Sequence, residues 1–388
     1  MKKNKKILYI FPRIVDTVIQ NTTENEIARS LGMRGYKVET VVGYKQEKKI
    51  LDGFDQVRYI HRLEGLSGIV RHHAVMLKHM VKTEADVVLA AYTAMHLVVL
   101  ARLLRIGRKH NPIWLMDIRS VPVDLSRNWR SRMVQLRYRL GLFLADRFCD
   151  GVTLITPALA ESVAPVLKRL NTRIGIWESG VNLEHFSPEA RSKNMRRELN
   201  LTGKTVLLYH GVMSPNRGLQ NLILAFTMLT PRYPDMRLLL VGDGEGRTEL
   251  QSLAERSWLA DKVLFVDPVP YDQIGKYVAS ADIGVLPFPD ISWWAVSSPI
   301  KLMEYLAMGL PVIATDITAI RHVVSRTGGA ILAPDNRPES LAAAITQYLD
   351  KGCAPAPREI LEDIISWNAQ ARSLDFFIND LEQVRGSF

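Results

Sequence analysis

The stretch SSPIKLMEYLAMGLPVIATD, Ser297 to Asp316, reads as a helix that runs into a strand. Ser298 is placed to act as N-cap with Pro299 at the first helical position, and Gly309 and Pro311 stop the helix ahead of the apolar run Val312-Ile313-Ala314. In between, Ile300, Leu302, Met303, Leu306, Ala307, Met308 and Leu310 surround the axis, the pattern of a helix buried on most sides. Lys301 and Glu304 break the pattern, three residues apart on one face. A cation in the first turn opposes the helix macrodipole, and it makes sense where an anion also binds the N–H groups there. Two readings stand: an anion site, or a Lys–Glu pair on a solvent-facing stripe.

This helix-and-strand unit is one of many. Short β-rich runs alternate with helical stretches at Ile7–Phe11, Val38–Val42, Val57–Ile60, Val87–Ala91, Ile113–Met116, Val152–Ile155 and Ile174–Trp177. The second half repeats the scheme at Val206–Tyr209, Leu238–Val241, Val263–Val266, Ile283–Leu286, Val312–Ala314 and Ile331–Leu332. Short apolar strands with crossover helices imply an α/β chain with a doubly wound parallel sheet, here built twice. A length of 388 residues fits two such domains. The polar stretch from Ser187 to Gly203 is the linker candidate, so the expected division is 1–190, 191–365 and a last helix, 366–388, that packs back on the first domain. Ligands of such sheets bind outside the carboxyl ends of the strands, which in two facing domains leaves a cleft between them.

The net charge of +10 is uneven. Residues 1–200 hold 34 Lys and Arg against 19 Asp and Glu, and the remainder 16 against 21. The first half is therefore suited to something anionic. In RSRMVQLRYRLGLFLADRF, residues 130–148, Met133, Leu136, Leu140, Phe143 and Leu144 keep a helical spacing with arginines flanking the stripe. Such a segment lies on an anionic membrane surface, or it is a core helix with a solvated basic back. Nucleic acid is not indicated, since the basic stretches lack interleaved aromatics and no nucleic-acid module signature is present. Val87 to Ala101, the longest run without a formal charge, falls short of the roughly 20 residues of a membrane helix. Cys149 and Cys353 have no metal-type spacing and suit a reducing, cytoplasmic compartment.

Three loops of the second half carry candidate chemistry. In LLYHGVMSPNRGLQNLILAF a strand passes into a helix through Gly211 and Gly218, with Arg217 beside the turn; a glycine turn next to a cation suits a diphosphate. In LLLVGDGEGRTELQ, Gly242, Gly244 and Gly246 lack the spacing of a dinucleotide fingerprint and read as a tight turn. ADIGVLPFPD delivers a strand into a proline loop that leads through Trp293 and Trp294, which either line a ligand or cover an apolar edge. In the first half, Asp117 and Arg119 leave a strand end, as candidates for ligand binding or proton handling or as a structural turn pair; Glu178 is a cleft residue or a hinge contact. His72, His73, His96 and His210 have no metal spacing and read as ordinary surface or core histidines.

Taken in order, TENEIARSLGMRGYKVETVV, WLMDIRSVPVD, LITPALAES, ESGVNLEHFSP, HGVMSPNRGLQNLILAF, LVGDGEGRTEL, VLFVDPVPYDQIGKYVASADIGVLPF and the opening stretch resemble the retaining nucleotide-sugar glycosyltransferases of family 4 (glycosyltransferase group 1) with the GT-B fold. The resemblance implies two Rossmann-like domains and transfer of a sugar from a nucleotide-diphosphate donor on the second to an acceptor on the first. It implies no metal cofactor, the leaving diphosphate being stabilised by N–H groups and cations. Glu304 matches the glutamate that accepts from the donor ribose hydroxyls, and Arg217 the residue that binds the phosphates. Gly211, Gly242 and the amides around Ser298, Pro299 and Ile300 complete the expected donor site.

Two departures stand out. Many relatives carry another glutamate eight residues before the ribose glutamate, where this chain has Val296, and a base after the first loop glycine, where it has Val212. Lys301 is then the expected replacement phosphate cation, and counts with Asp117, Arg119 and Arg217 among the catalytic candidates. The loop PRIVDTVIQNTTENEIARSL after the first strand lacks the glycine pair of many relatives. The expected function is a hexosyl transfer to a lipid-linked or glycan acceptor in surface polysaccharide or glycolipid synthesis, peripherally on the cytoplasmic face of an anionic membrane. The rivals are a nucleotide-sugar 2-epimerase-like isomerase and a non-catalytic partner of the same fold.

Overall fold

The apolar runs are strands in the computed structural model, which describes residues 5–11, 22–45, 51, 53–61, 63–122, 129–170, 173–190 and 193–386. The chain divides into two compact units, Met1–Ser179 with Trp367–Phe388, and Gly180–Ser366. The first contains β1 (Lys5–Ile10), β2 (Tyr36–Tyr44), β3 (Gln56–His61), β4 (Val87–Ala91), β5 (Ile113–Ile118), β6 (Gly151–Leu154) and β7 (Ile174–Ile176). They form a parallel sheet in the order β3-β2-β1-β4-β5-β6-β7, with Ile7 opposite Val38 on one side and Val87 on the other. The second contains β8 (Thr205–His210), β9 (Met236–Val241), β10 (Val263–Val266), β11 (Ile283–Leu286), β12 (Val312–Thr315) and β13 (Ala330–Ala333), in the order β10-β9-β8-β11-β12-β13. Both orders reverse direction once, between β1 and β4 and between β8 and β11. At those switch points the crossovers leave on opposite faces, and the gap they open is where doubly wound sheets bind ligands.

The dividing line falls at Ser179/Gly180, ahead of the 190/191 boundary that the polar linker suggested. Val181 bridges Ser366 and donates its N–H to Ile365 O at 2.8 Å, and Phe186 is fully buried in the second core, so these residues are committed to the second unit. From Trp367 to Gly386 the last helix belongs to the first unit. Its Leu374, Ile378 and Leu381 are buried in the first core, and the ring of Phe377 occupies the space where Cβ atoms of Gly151 and Gly175 would stand. Asp375, 3% exposed, accepts from Tyr36 Oη at 2.7 Å and from Arg34 Nη2 at 2.9 Å.

The opening stretch forms a shorter helix than its spacing suggests, Ile300–Ala307. Pro299 takes the N-cap position in place of Ser298, with φ −80° and ψ 86°, and its carbonyl accepts from the Leu302 N–H at 3.0 Å. Gly309 ends it as expected: φ is +70°, and Leu310 donates to Tyr305 O at 3.0 Å. Glu304 is buried, so the solvent-facing stripe is excluded. Tyr305 lies flat against β11, possible only because Gly284 has no Cβ. The helix Trp129–Phe148 likewise corrects one of its two readings. Its apolar stripe at Met133, Leu136, Leu140 and Phe143 is exposed, and it is Leu142 and Ala145 that enter the core. The loop after β1 at 12–21 lies outside the described residues.

Candidate functional site

In the second unit, the switch point between β8 and β11 gathers most of the predicted donor residues. β8 ends at His210 and turns at Gly211, φ +113°, where a Cβ would lie 2.4 Å from Lys301 Cε and 2.8 Å from its Nζ. The Gly211 glycine thus lets the Lys301 side chain lie across the strand end. Gly242 at the end of β9 packs on Gly211 in turn: a Cβ there would sit 2.2 Å from the Gly211 carbonyl oxygen. Hydrogen bonds from Gly211 N to Val241 O and from Met213 N to Asp243 O, both 2.8 Å, lace the two loops together. Gly242 is therefore a close-packing turn, in keeping with its spacing.

Arg217 closes the short turn Pro215–Arg217, and Gly218 follows at φ +72° with its Cα so near β11 that a Cβ would fall 1.9 Å from Pro287 O. The guanidinium of Arg217 lies 4.3 Å from the ring centroid of Trp294 and 5.4 Å from that of Phe288. Those rings stack at 4.6 Å, and Trp294 Nε1 donates to Asn216 O at 2.9 Å. Trp294 is thus a shelf under Arg217, a role its sequence position does not announce. Arg217 Nε is buried with no hydrogen-bond partner among the described residues. Burial lowers the Arg217 pKa, with Tyr209 opposing.

Lys301 is half-buried, and burial together with the Arg217 charge pushes its ammonium down to about 8 against the pull of Glu304. Neither cation has a carboxylate within ion-pair distance among the described residues. Two cations without a close ion-pair partner among the described residues, near one strand end and the first turn of a helix, make an electropositive patch. Of the residues expected to line that turn with amides, Ser298 and Ile300 carry a backbone N–H and Pro299 has none. One turn on, Glu304 is 2% exposed and its Oε2 lies 3.0 Å from His210 Nε2, the contact being bent away from hydrogen-bond alignment. His210, read from sequence as ordinary, is held there by its N–H donating to the Tyr305 hydroxyl at 3.1 Å. Val212 is exposed at the position of the missing base.

Asp117 and Arg119 belong to the first unit, at the end of β5. Asp117 is 1% exposed and both carboxylate oxygens accept at 2.7 Å, Oδ2 from Tyr9 and Oδ1 from Thr153. Burial raises its pKa; Arg119, the two hydroxyls and Trp177 oppose. Arg119 stacks on Trp177, with its guanidinium carbon 3.4 Å from the ring centroid, and donates from Nη1 to Trp177 O. Its Nε and Nη2 are buried without partners among the described residues. Asp117, Arg119, Tyr9, Glu24 and Arg137 line one pocket at the β1/β4 switch point. The sequence reading missed Tyr9, Glu24 and Thr153, which are single residues from distant segments with no shared spacing. Glu178 is buried, with its N–H donating to Gln370 Oε1 at 2.7 Å.

Residues 204–351 match the family model described as Glycosyl transferases group 1, which makes this part of the chain a domain of that family. The chain as a whole is similar to sucrose-phosphate synthase from Thermosynechococcus elongatus, with a TM-score of 0.75 at 20% identity over 98% of this chain and 100% of that one. Anabaena HepE in complex with UDP and glucose has a TM-score of 0.74 at 16% identity, covering 97% and 100%. These likenesses show the GT-B fold that the sequence resemblance implies. Among relatives, the D-inositol 3-phosphate glycosyltransferase of Mycobacteroides abscessus is 30% identical over 233 residues, 58% of this chain and 50% of the relative. The phosphatidyl-myo-inositol mannosyltransferase of Mycobacterium tuberculosis is 30% identical over 202 residues, 52% and 50%. The chain spans about half or less of the length of the curated relatives it matches.

Proposed function

We propose that the protein is a retaining glycosyltransferase that moves a sugar, a hexosyl group in our reading, from a nucleotide-diphosphate donor to a lipid-linked acceptor at the cytoplasmic face of a membrane. The observation that carries this is the meeting of Arg217, Lys301 and Glu304 at the β8/β11 switch point of the group 1 domain. A donor diphosphate lies against the two cations, and Lys301 takes the part of the base that Val212 cannot supply. Glu304 accepts from the ribose diol, exchanging its contact with His210 for two hydroxyl donors. The sugar C1–oxygen bond to the diphosphate breaks while the acceptor oxygen bonds C1 on the same face, and the acceptor proton passes to the departing diphosphate. The cations stabilise the charge that develops there, so the reaction needs no metal.

On the first unit, Arg119 binds the acceptor through its two nitrogens without partners among the described residues, Nε and Nη2, while Asp117 acts as a positioning residue that fixes Tyr9 and Thr153. A lipid-linked acceptor is supported by the relative named for phosphatidyl-myo-inositol and by the basic first half of the chain. The test is incubation of purified protein with UDP-, GDP-, ADP- and dTDP-sugars, with and without a membrane lipid extract, following diphosphate release and product anomer by NMR. Lipid-dependent release from one donor with its α-linkage preserved is the expected result. An inverted anomer overturns the mechanism, and sugar conversion without acceptor replaces the transferase with an isomerase. Donor binding with no release on an adequate acceptor supply leaves a non-catalytic partner.

A further inference from the structure

The helix Trp129–Phe148 turns its apolar stripe outward: Leu136, Leu140 and Phe143 are 58%, 52% and 55% exposed. The helix Met95–Leu104 packs beside it, and its own Leu100 and Leu103 are 45% and 51% exposed. These exposed apolar side chains lie on two helices that pack against each other, and clustered exposed apolar groups mark interaction surfaces. Its charges are of one sign. Arg132, Arg139 and Arg147 are exposed on the longer helix, Arg108 and Lys109 just beyond the shorter one, and residues 95–110 contain no Asp or Glu. The one acidic residue of 129–148, Asp146, is buried and accepts from the N–H groups of Arg169 and Leu170 at 2.8 and 3.0 Å.

We propose that these two helices form one membrane-insertion face, the leucines and Phe143 entering the headgroup–acyl boundary of an anionic bilayer while the arginines bind its phosphates. A cationic rim around an apolar centre is complementary to such a surface, and an arginine stem can lie along apolar groups while its head stays at the interface. A second copy of this chain fits less well, since a two-fold contact would set one arginine rim against the other. No helix among the described residues is long and apolar enough to cross a membrane, so the contact is with one leaflet. The face is also continuous with the first-unit pocket. Arg137, on the longer helix, lines that pocket with Asp117 and Arg119 and donates to Thr93 O at 2.8 Å. An acceptor anchored in the leaflet would thus reach the pocket along this helix; only that route rests on the transferase reading, and the docking does not.

The test is flotation of the full chain with vesicles of phosphatidylcholine alone and of phosphatidylcholine with one third phosphatidylglycerol. The wild type is expected to float with the anionic vesicles and to keep part of that binding in high salt, where charge attraction is screened. Leu103→Glu with Leu140→Glu should lower binding about tenfold or more with an unchanged Tm, because both side chains are exposed. Arg132→Gln with Arg139→Gln should remove mainly the salt-sensitive part. Vesicle binding by the double glutamate variant equal to wild type overturns the proposal. So does a wild-type dimer in sedimentation that the same variant dissociates, which would assign the face to a second copy. Vesicle binding in a protein that turns over no nucleotide sugar leaves this face standing and removes the transferase reading alone.

Discussion

Lys301 and Arg217 are cations that the fold has partly desolvated without a carboxylate at ion-pair distance among the described residues, Glu304 acting on Lys301 only from further off. For Lys301 the cost shows in its pKa of about 8, well under the 10.5 of a free lysine. A diphosphate would favour the charged form and recover that cost. Donor affinity should therefore be full near neutrality and fall as the pH rises through about 8, where the free protein loses the Lys301 proton. Titration calorimetry from roughly pH 7 to 10 should show this weakening in the wild type and not in Lys301→Arg, which stays charged. Lys301→Met should weaken donor binding about tenfold to a hundredfold at neutral pH, the worth of roughly 1.5–3 kcal/mol for a charge-assisted hydrogen bond. Full affinity in Lys301→Met would remove the lysine from the site. Glu304→Gln keeps the side-chain volume and loses the charge, so donor affinity should drop by about 1–2 kcal/mol. The penalty that the wild type shows for a dideoxyribose donor should shrink in that variant; an equal penalty in both would place the ribose elsewhere.

At the scale of elements, the second-unit site is a set of close approaches that glycine permits. Gly218 is the most exacting, because its φ of +72° and the Pro287 carbonyl 1.9 Å from a would-be Cβ act together. Gly218→Ala must shift the loop that carries Arg217, since a backbone carbonyl at a strand end has little room to move. A loss of about 2–4 kcal/mol is expected, seen as a lower Tm, with donor binding reduced further. Much of this was legible beforehand. Gly211, Gly218 and Gly309 each sit where apolar periodicity stops, and glycine is the residue such turns demand. The N-terminus of the Ile300–Ala307 helix was less legible, because a Ser-Pro pair suits both a cap followed by the first turn and a Pro at the cap itself. Trp294 was illegible for a different reason: its partners Phe288, Asn216 and Arg217 come from other loops, and no sequence period links them.

For the whole molecule, the excursion of the last helix into the first unit is the long-range feature with the clearest energetic consequence. Asp375 holds Tyr36 and Arg34 in a buried contact, and burial with the Asp375 carboxylate raises the Tyr36 hydroxyl pKa well above its ordinary value. Asp375→Asn leaves the Arg34 charge without its partner and should cost the first unit about 3 kcal/mol, read as a lower midpoint in urea. An unchanged midpoint would mean that the helix is held by its apolar face alone, through Leu374, Ile378 and Leu381. The sequence by itself determined the strands and their α/β alternation in two halves, because buried parallel strands must be continuous apolar runs and crossover helices must separate them. It also marked the loops around Gly211, Arg217 and Gly218, whose glycines are local requirements of the turns there. Only the tertiary structure decided which side of the Trp129–Phe148 helix is buried, since an apolar stripe has the same spacing whether it meets a core or a surface. The His210–Glu304 contact and the hydroxyls on Asp117 were decided there too, because strand order brings together residues that the chain keeps far apart.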